Sequence, residues 1–146
     1  MSLKEQEMNP IGKKSFQNNC CMPVIITKKF RFESAHHLPG FPEGHKCRRL
    51  HGHSFRLEVN VEGEIDPETG VVMDFGIIKS KVKPFVDQLD HEYLNQLGEI
   101  HSEELLKNPT SENLCKWFFE KLKPLIPGLH SIVIHETCTS RCVITQ

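Results

Sequence analysis

The 146-residue sequence lacks any apolar run long enough to cross a bilayer. Its first twenty residues, MSLKEQEMNPIGKKSFQNNC, have no apolar stretch of the kind a secretory signal needs. It also lacks an excess of either charge: 18 basic residues stand against 19 acidic ones, a net charge of -1. The basic balance typical of a nucleic-acid binder is therefore missing, and neither nucleic acid nor membrane is expected as a partner. None of the six cysteines forms a Cys-x-x-Cys pair, which excludes a thiolate zinc ribbon and a thioredoxin-like motif. A cytoplasmic location is expected, and with it reduced thiols rather than disulfides. There is no internal repeat, no low-complexity tract and no sign of a second domain.

What the sequence does have is an ordinary soluble composition, 38% hydrophobic and 25% charged, in a length that suits one domain. Residues 1–22 read as a polar N-terminal extension, and residues 23–146 as a single folded domain. Val24 to His37 alternates, with Ile26, Phe30, Phe32, Ser34 and His36 on one face and Lys29, Arg31, Glu33 and His37 on the other, as in a half-buried strand. Residues 38–50 hold two prolines and two glycines and read as a loop. The alternation returns with His51, His53, Phe55, Leu57, Val59 and Val61 on one face. Asp66–Gly70 reads as a turn closing a hairpin onto Val71–Met73.

Asp74 suits a helix N-cap, and Phe75, Ile78, Val82, Phe85 and Leu89 follow at helical spacing, with a kink or early break expected at Pro84. Residues 95–109 read as a polar loop with a helical turn near Ser102. Thr110 or Ser111 caps a second helix carrying Leu114, Trp117, Phe118 and Leu122, ended by Pro124 and Pro127. Ser131–Thr137 and Cys142–Thr145 read as closing strands. The order of elements implies an α+β domain with helices on one face of an antiparallel sheet.

Histidine is the unusual residue: nine in all, five of them between positions 36 and 53. His51 and His53, two apart on a strand, project from the same face. His36 lies on the inward face of the preceding strand, and its neighbour His37 on the outward one. If the two strands are neighbours, three imidazoles converge, which is the ligand set of a catalytic zinc site with an open position. Cys47 lies four residues before His51 among Lys46, Arg48 and Arg49, cations that favour a thiolate and suit phosphate. Asp90-His91 is a pair in which the acid can orient the base. Glu136 shares a face with Ile132 and Ile134, where a carboxylate needs a partner. Read alone, these last residues are equally those of a solvated loop, a helix end and a buried salt bridge.

Together, the stretches FESAHHLPGFPEGHKCRRLHGHSF, GVVMDFGIIK, LDHEYLN, NPTSENLCKWFFEKLKP and ETCTSRC resemble the 6-pyruvoyl-tetrahydropterin and 6-carboxy-tetrahydropterin synthase family. The resemblance runs from about residue 24 to the C-terminus. It implies a tunnelling fold, a four-stranded antiparallel sheet backed by two helices. It further implies subunits that close into barrels and assemble as homohexamers of two trimers, with active sites between subunits. It assigns Zn2+ to His36, His51 and His53, catalysis to Cys47, Asp90 and His91, and the pterin pocket to Glu136, Thr110 and Glu112. The short Cys47…His51-Gly-His53 spacing is similar to the queuosine-pathway branch, while Arg141 stands where that branch commonly has glycine. The implied reaction is that of a lyase taking 7,8-dihydroneopterin triphosphate to 6-carboxy-tetrahydropterin, acetaldehyde and triphosphate. A pyruvoyl-forming synthase is the alternative within the family, and a non-catalytic metal- or pterin-binding module the alternative outside it.

Overall fold

Two long strands carry the architecture. β1 (Val24–His36) and β2 (His51–Gly63) pair antiparallel without interruption, from Val24 opposite Gly63 to His36 opposite His51. The computed structural model describes residues 22–146, so the polar extension read over residues 1–22 lies, but for Met22, outside the described residues. Period-two alternation fixes this register. Phe32, Phe55, Leu57, Val59 and Val61 are buried while Arg31 and Arg56 are exposed, and a one-residue slip would turn the apolar set into water.

β3 (Glu92–Tyr93), β4 (Leu129–His135) and β5 (Arg141–Thr145) complete a sheet of spatial order β3-β1-β2-β4-β5. The sheet is therefore five-stranded and mixed, not four-stranded and antiparallel. β3 is the addition, running parallel to β1 at Ser34 and Ala35. Its two residues are too few to show any alternation. Val71–Met73 is a second correction. The Asp66–Gly70 turn forms, with Asp66 Oδ1 accepting the Glu68 and Thr69 amides, but no strand follows it. Val72 instead settles over the end of β2, where a Cβ at Gly63 would stand 2.8 Å from Val72 Cγ1.

α1 (Phe75–Leu89) begins where Asp74 Oδ1 accepts the Gly76 amide, and it buries Ile78, Val82, Val86 and Leu89. Pro84 does not break it. The carbonyl that loses its partner belongs to Ser80, and both residues are exposed, so water can serve it. The segment read as a polar loop holds α2 (Leu94–Ile100) and α3 (Glu104–Lys107). Their anchors are few, chiefly Leu94 and Leu106, so no period shows. A Cβ on Gly98 would lie 2.6 Å from the Leu106 carbonyl carbon and the Lys107 nitrogen, and only glycine lets the two backbones touch. α4 (Ser111–Leu122) is capped by Thr110, whose Oγ1 accepts the Asn113 amide at 3.1 Å. It buries Leu114, Cys115, Trp117 and Phe118 against the sheet.

The helices thus number four among the described residues, not two. None is long and apolar enough to cross a membrane. The described cysteines Cys47, Cys115, Cys138 and Cys142 are all thiols. The β1–β2 hairpin opens at the His36/His51 end into the loop 37–50, and the candidate site lies there.

Candidate metal centre

His36 closes β1, His51 opens β2 directly opposite it, and His53 lies two residues along on the same face. The rings gather edge to face, with centroids 4.6 Å apart for His36 and His51, 5.2 Å for His36 and His53, and 5.1 Å for His51 and His53. One ring nitrogen from each lies within 4.8 Å of the others. His37 is elsewhere: its Nδ1 meets the Tyr93 hydroxyl at 2.6 Å.

Two backbone carbonyls set the tautomers. His36 Nδ1 lies 2.8 Å from the Pro109 carbonyl oxygen and His51 Nδ1 2.6 Å from that of Arg49. A carbonyl can only accept, so both Nδ1 atoms carry the hydrogen and both Nε2 atoms present a lone pair. Nε2 of His36 and of His53 are buried and have no hydrogen-bond partner. Glu136 Oε1 comes within 3.2 Å of His53 Nε2, but off the line that a hydrogen bond requires. Buried polar atoms left unpaired are costly, and three ring nitrogens within 4.8 Å of one another fit a divalent metal held by three neutral imidazoles.

Electrostatics favours the neutral rings. Burial holds His36 below the ordinary 6.5; the Pro109 carbonyl opposes it and His51 adds to it. Burial likewise lowers His53, with Glu136 opposing and His51 assisting. The sign of the pH dependence follows. In metal-free protein the folded rings resist protons that the unfolded chain takes up near pH 6.5, so this contribution to stability is whole above that pH. It is lost as the pH falls through the lowered values. Urea unfolding of chelator-treated protein is expected to show stability falling as the pH drops below about 6.5, with a shallower fall in His36→Gln. Equal slopes for the two proteins would count against it.

Cys47 sits in a single turn of 3₁₀ helix, Lys46–Arg48, held by the bond from the Leu38 amide to its carbonyl (2.8 Å) and by its own amide donating to His45 Nδ1 (3.1 Å). With Lys46, Arg49, His51, His53 and Glu136 it lines a cavity of about 560 Å³. Arg48 turns away and donates to the Phe41 carbonyl at 2.8 Å. Glu136, just past β4, accepts from Ser111 Oγ at 2.7 Å. Ser111 was legible only as a possible cap, because its contact with Glu136 is long-range. Thr110 spends its hydroxyl on the cap of α4, and Glu112 is exposed in the first turn; neither lines the Cys47 cavity. Arg141 is exposed at the start of β5, opposite His135.

The structure does not bring Asp90 and His91 to Cys47 within one chain. Asp90 Oδ1 accepts the Glu33 amide at 2.8 Å, and Oδ2 lies 3.0 Å from His91 Nδ1. The Glu33 amide, then His91, hold the Asp90 carboxyl below its ordinary value. His91 adopts a left-handed φ of 60°, and its amide donates to the Glu33 carbonyl at 2.6 Å. Its ring opens on a different cavity, shared with Glu33, Ser54 and Tyr93.

The family model for 6-pyruvoyl tetrahydropterin synthase matches residues 25–146. The chain belongs to that family. The resemblance read from its separated motifs is borne out. It is 50% identical over 123 residues to the 6-carboxy-5,6,7,8-tetrahydropterin synthase of Synechocystis, across 80% of this chain and 88% of that one. It is 37% identical over 107 residues to the dihydroneopterin monophosphate aldolase of Pyrococcus furiosus, across 73% of this chain and 82% of that one. The solved 6-pyruvoyl tetrahydropterin synthase of Caenorhabditis elegans superposes with a TM-score of 0.75 at 27% identity, covering 86% of this chain and 96% of that one. The family and these relatives are enzymes acting on small pterins, and the family is typically metal-dependent.

Proposed function

We propose that the chain is a zinc-dependent lyase converting 7,8-dihydroneopterin triphosphate and water to 6-carboxy-5,6,7,8-tetrahydropterin, acetaldehyde and triphosphate. It would act in cytoplasmic queuosine biosynthesis as a homohexamer of two trimers. The observation that carries the reading is the convergence of His36, His51 and His53, of which His51 and His53 line one cavity with Cys47 and Glu136. The carboxy-forming branch is supported by the three-residue spacing between Cys47 and His51 and by the Synechocystis relative at 50% identity.

His36 and His51 would hold zinc through Nε2, with His53 completing the set. Bound zinc supplies Lewis-acid polarisation of a substrate oxygen. Glu136, with one oxygen steadied by Ser111, accepts hydrogen bonds from adjacent pterin N–H groups, while Thr110 and Glu112 act at the start of α4, on either side of Ser111, rather than in the cavity wall. Cys47 would serve as the base that takes a proton from a carbon of the substrate side chain. Lys46 and Arg49 face the phosphates, whereas Arg48 is occupied with the Phe41 carbonyl. Asp90 stays ionised and orients His91, which passes protons from the neighbouring subunit of the hexamer.

Product identification by mass, with zinc-loaded protein and 7,8-dihydroneopterin triphosphate, tests the reading. 6-Carboxy-tetrahydropterin with acetaldehyde is the expected result. A 6-pyruvoyl product would overturn the branch and leave the site. Binding without turnover, with Cys47 reduced, would replace the enzyme by a binding module. The Pyrococcus relative favours a second reading, aldol cleavage of dihydroneopterin monophosphate by the same residues. Preference for the monophosphate in a parallel assay would establish it.

A further inference from the structure

The bond from His36 to Pro109 joins two segments 73 residues apart in sequence. Pro109 has no amide hydrogen with which to fix itself. Something else must place its carbonyl, and a single buried side chain stands in the right position. Asn95, 6% exposed in α2, accepts the His37 amide on Oδ1 at 3.0 Å. Its Nδ2 donates to the His37 carbonyl at 2.9 Å and to the Lys107 carbonyl at 3.0 Å. His37 directly follows His36, and Lys107 lies two residues before Pro109. The amide thus closes a ring: the end of β1 on one side, residues 107–109 on the other, and the His36–Pro109 bond opposite. The Asn108 carbonyl between them is held by Asn113 Nδ2 and the Thr110 amide, both at 2.8 Å.

We infer that Asn95 is a positioning residue of the metal centre, tying the end of β1 to residues 107–109 so that His36 keeps its Nδ1–H tautomer and aims Nε2 at the other two imidazoles. The inference rests on the reading of the three histidines as a metal site. Both donors and the acceptor of the amide are engaged, which leaves the side chain no role in touching substrate. Carbonyls that orient metal-bound histidines are worth roughly 10–100-fold in metal affinity, and Asn95 acts one bond further out.

Asn95→Ala tests this, with Asn95→Asp, which keeps the shape and the bond from the His37 amide, where alanine does not fold. Val82→Ala in α1 is the control, since it loosens the core without touching the ring of contacts. Zinc affinity by chelator competition is expected to fall roughly tenfold or more in the Asn95 variants and to stay at the wild-type value in Val82→Ala. Nitrogen NMR of metal-free protein is expected to show one His36 tautomer in the wild type and a mixture in the variants. Affinity within about twofold of wild type and a single His36 tautomer in an Asn95 variant would overturn the inference. A wild type that binds no zinc would instead sink the metal reading, and the tautomer measurement would still decide the role of Asn95.

Discussion

His36→Ala is expected to abolish stoichiometric zinc binding and to lower turnover by about a thousandfold or more. A Lewis acid contributes several kcal/mol to a charged transition state, and each ~1.4 kcal/mol is tenfold in rate. His36 is the most buried of the three rings, fully buried and 2.8 Å from the Pro109 carbonyl, so its loss removes a ligand and leaves a hole that His37 cannot fill. The His37 ring is bound to the Tyr93 hydroxyl instead, and His37→Ala is expected to keep its zinc. The comparison is read by metal analysis after gel filtration together with steady-state rates. Retention of zinc by His36→Ala, or its loss in His37→Ala, would refute the assignment. Chelation adds a second reading of the same site. The core of Phe32, Phe55, Leu57, Trp117 and Phe118 is an apolar cluster that includes none of the three histidines, so a chelator should remove activity while leaving most of the circular dichroism. Wholesale unfolding would make the site structural.

The difference between His36 and His37 was visible in the sequence because β1 and β2 are each thirteen residues long. Over that length a period of two separates the faces cleanly, and with the faces come the three inward histidines. The capped helices α1 and α4 were legible for the same kind of reason, a sustained apolar stripe behind Asp74 and Thr110. What escaped was short or distant. β3 has two residues and α3 has four, too few for any period. α2 and α3 depend on Gly98 allowing two backbones to meet, a requirement that appears only once the chain has folded back. Ser111 on Glu136 and Pro109 on His36 are contacts across 25 and 73 residues, and no local pattern announces them. Motif resemblance placed Asp90 and His91 beside Cys47 in function. The single chain sets His91 and Cys47 on different cavities, a division that the sequence does not display.

Cys47→Ala is expected to leave zinc content unchanged and to reduce kcat by about 10²–10⁴-fold, the usual worth of a positioned base. Cys47 is not among the converging ligands; it lines one cavity with His51 and His53, with its backbone pinned on both sides by Leu38 and His45. The alanine variant should therefore bind substrate with little change in KM. Neutralising Lys46 and Arg49 predicts the opposite division, a raised KM with kcat largely kept, because on the proposed reading their charges would meet the phosphates rather than the reacting carbon. Arg48→Ala is expected to act on neither directly, since its guanidinium serves the Phe41 carbonyl. A Cys47→Ala enzyme with wild-type kcat would remove the thiolate from the mechanism. In the proposed hexamer the next candidate base would be His91, which Asp90 orients and whose amide is bound to the Glu33 carbonyl.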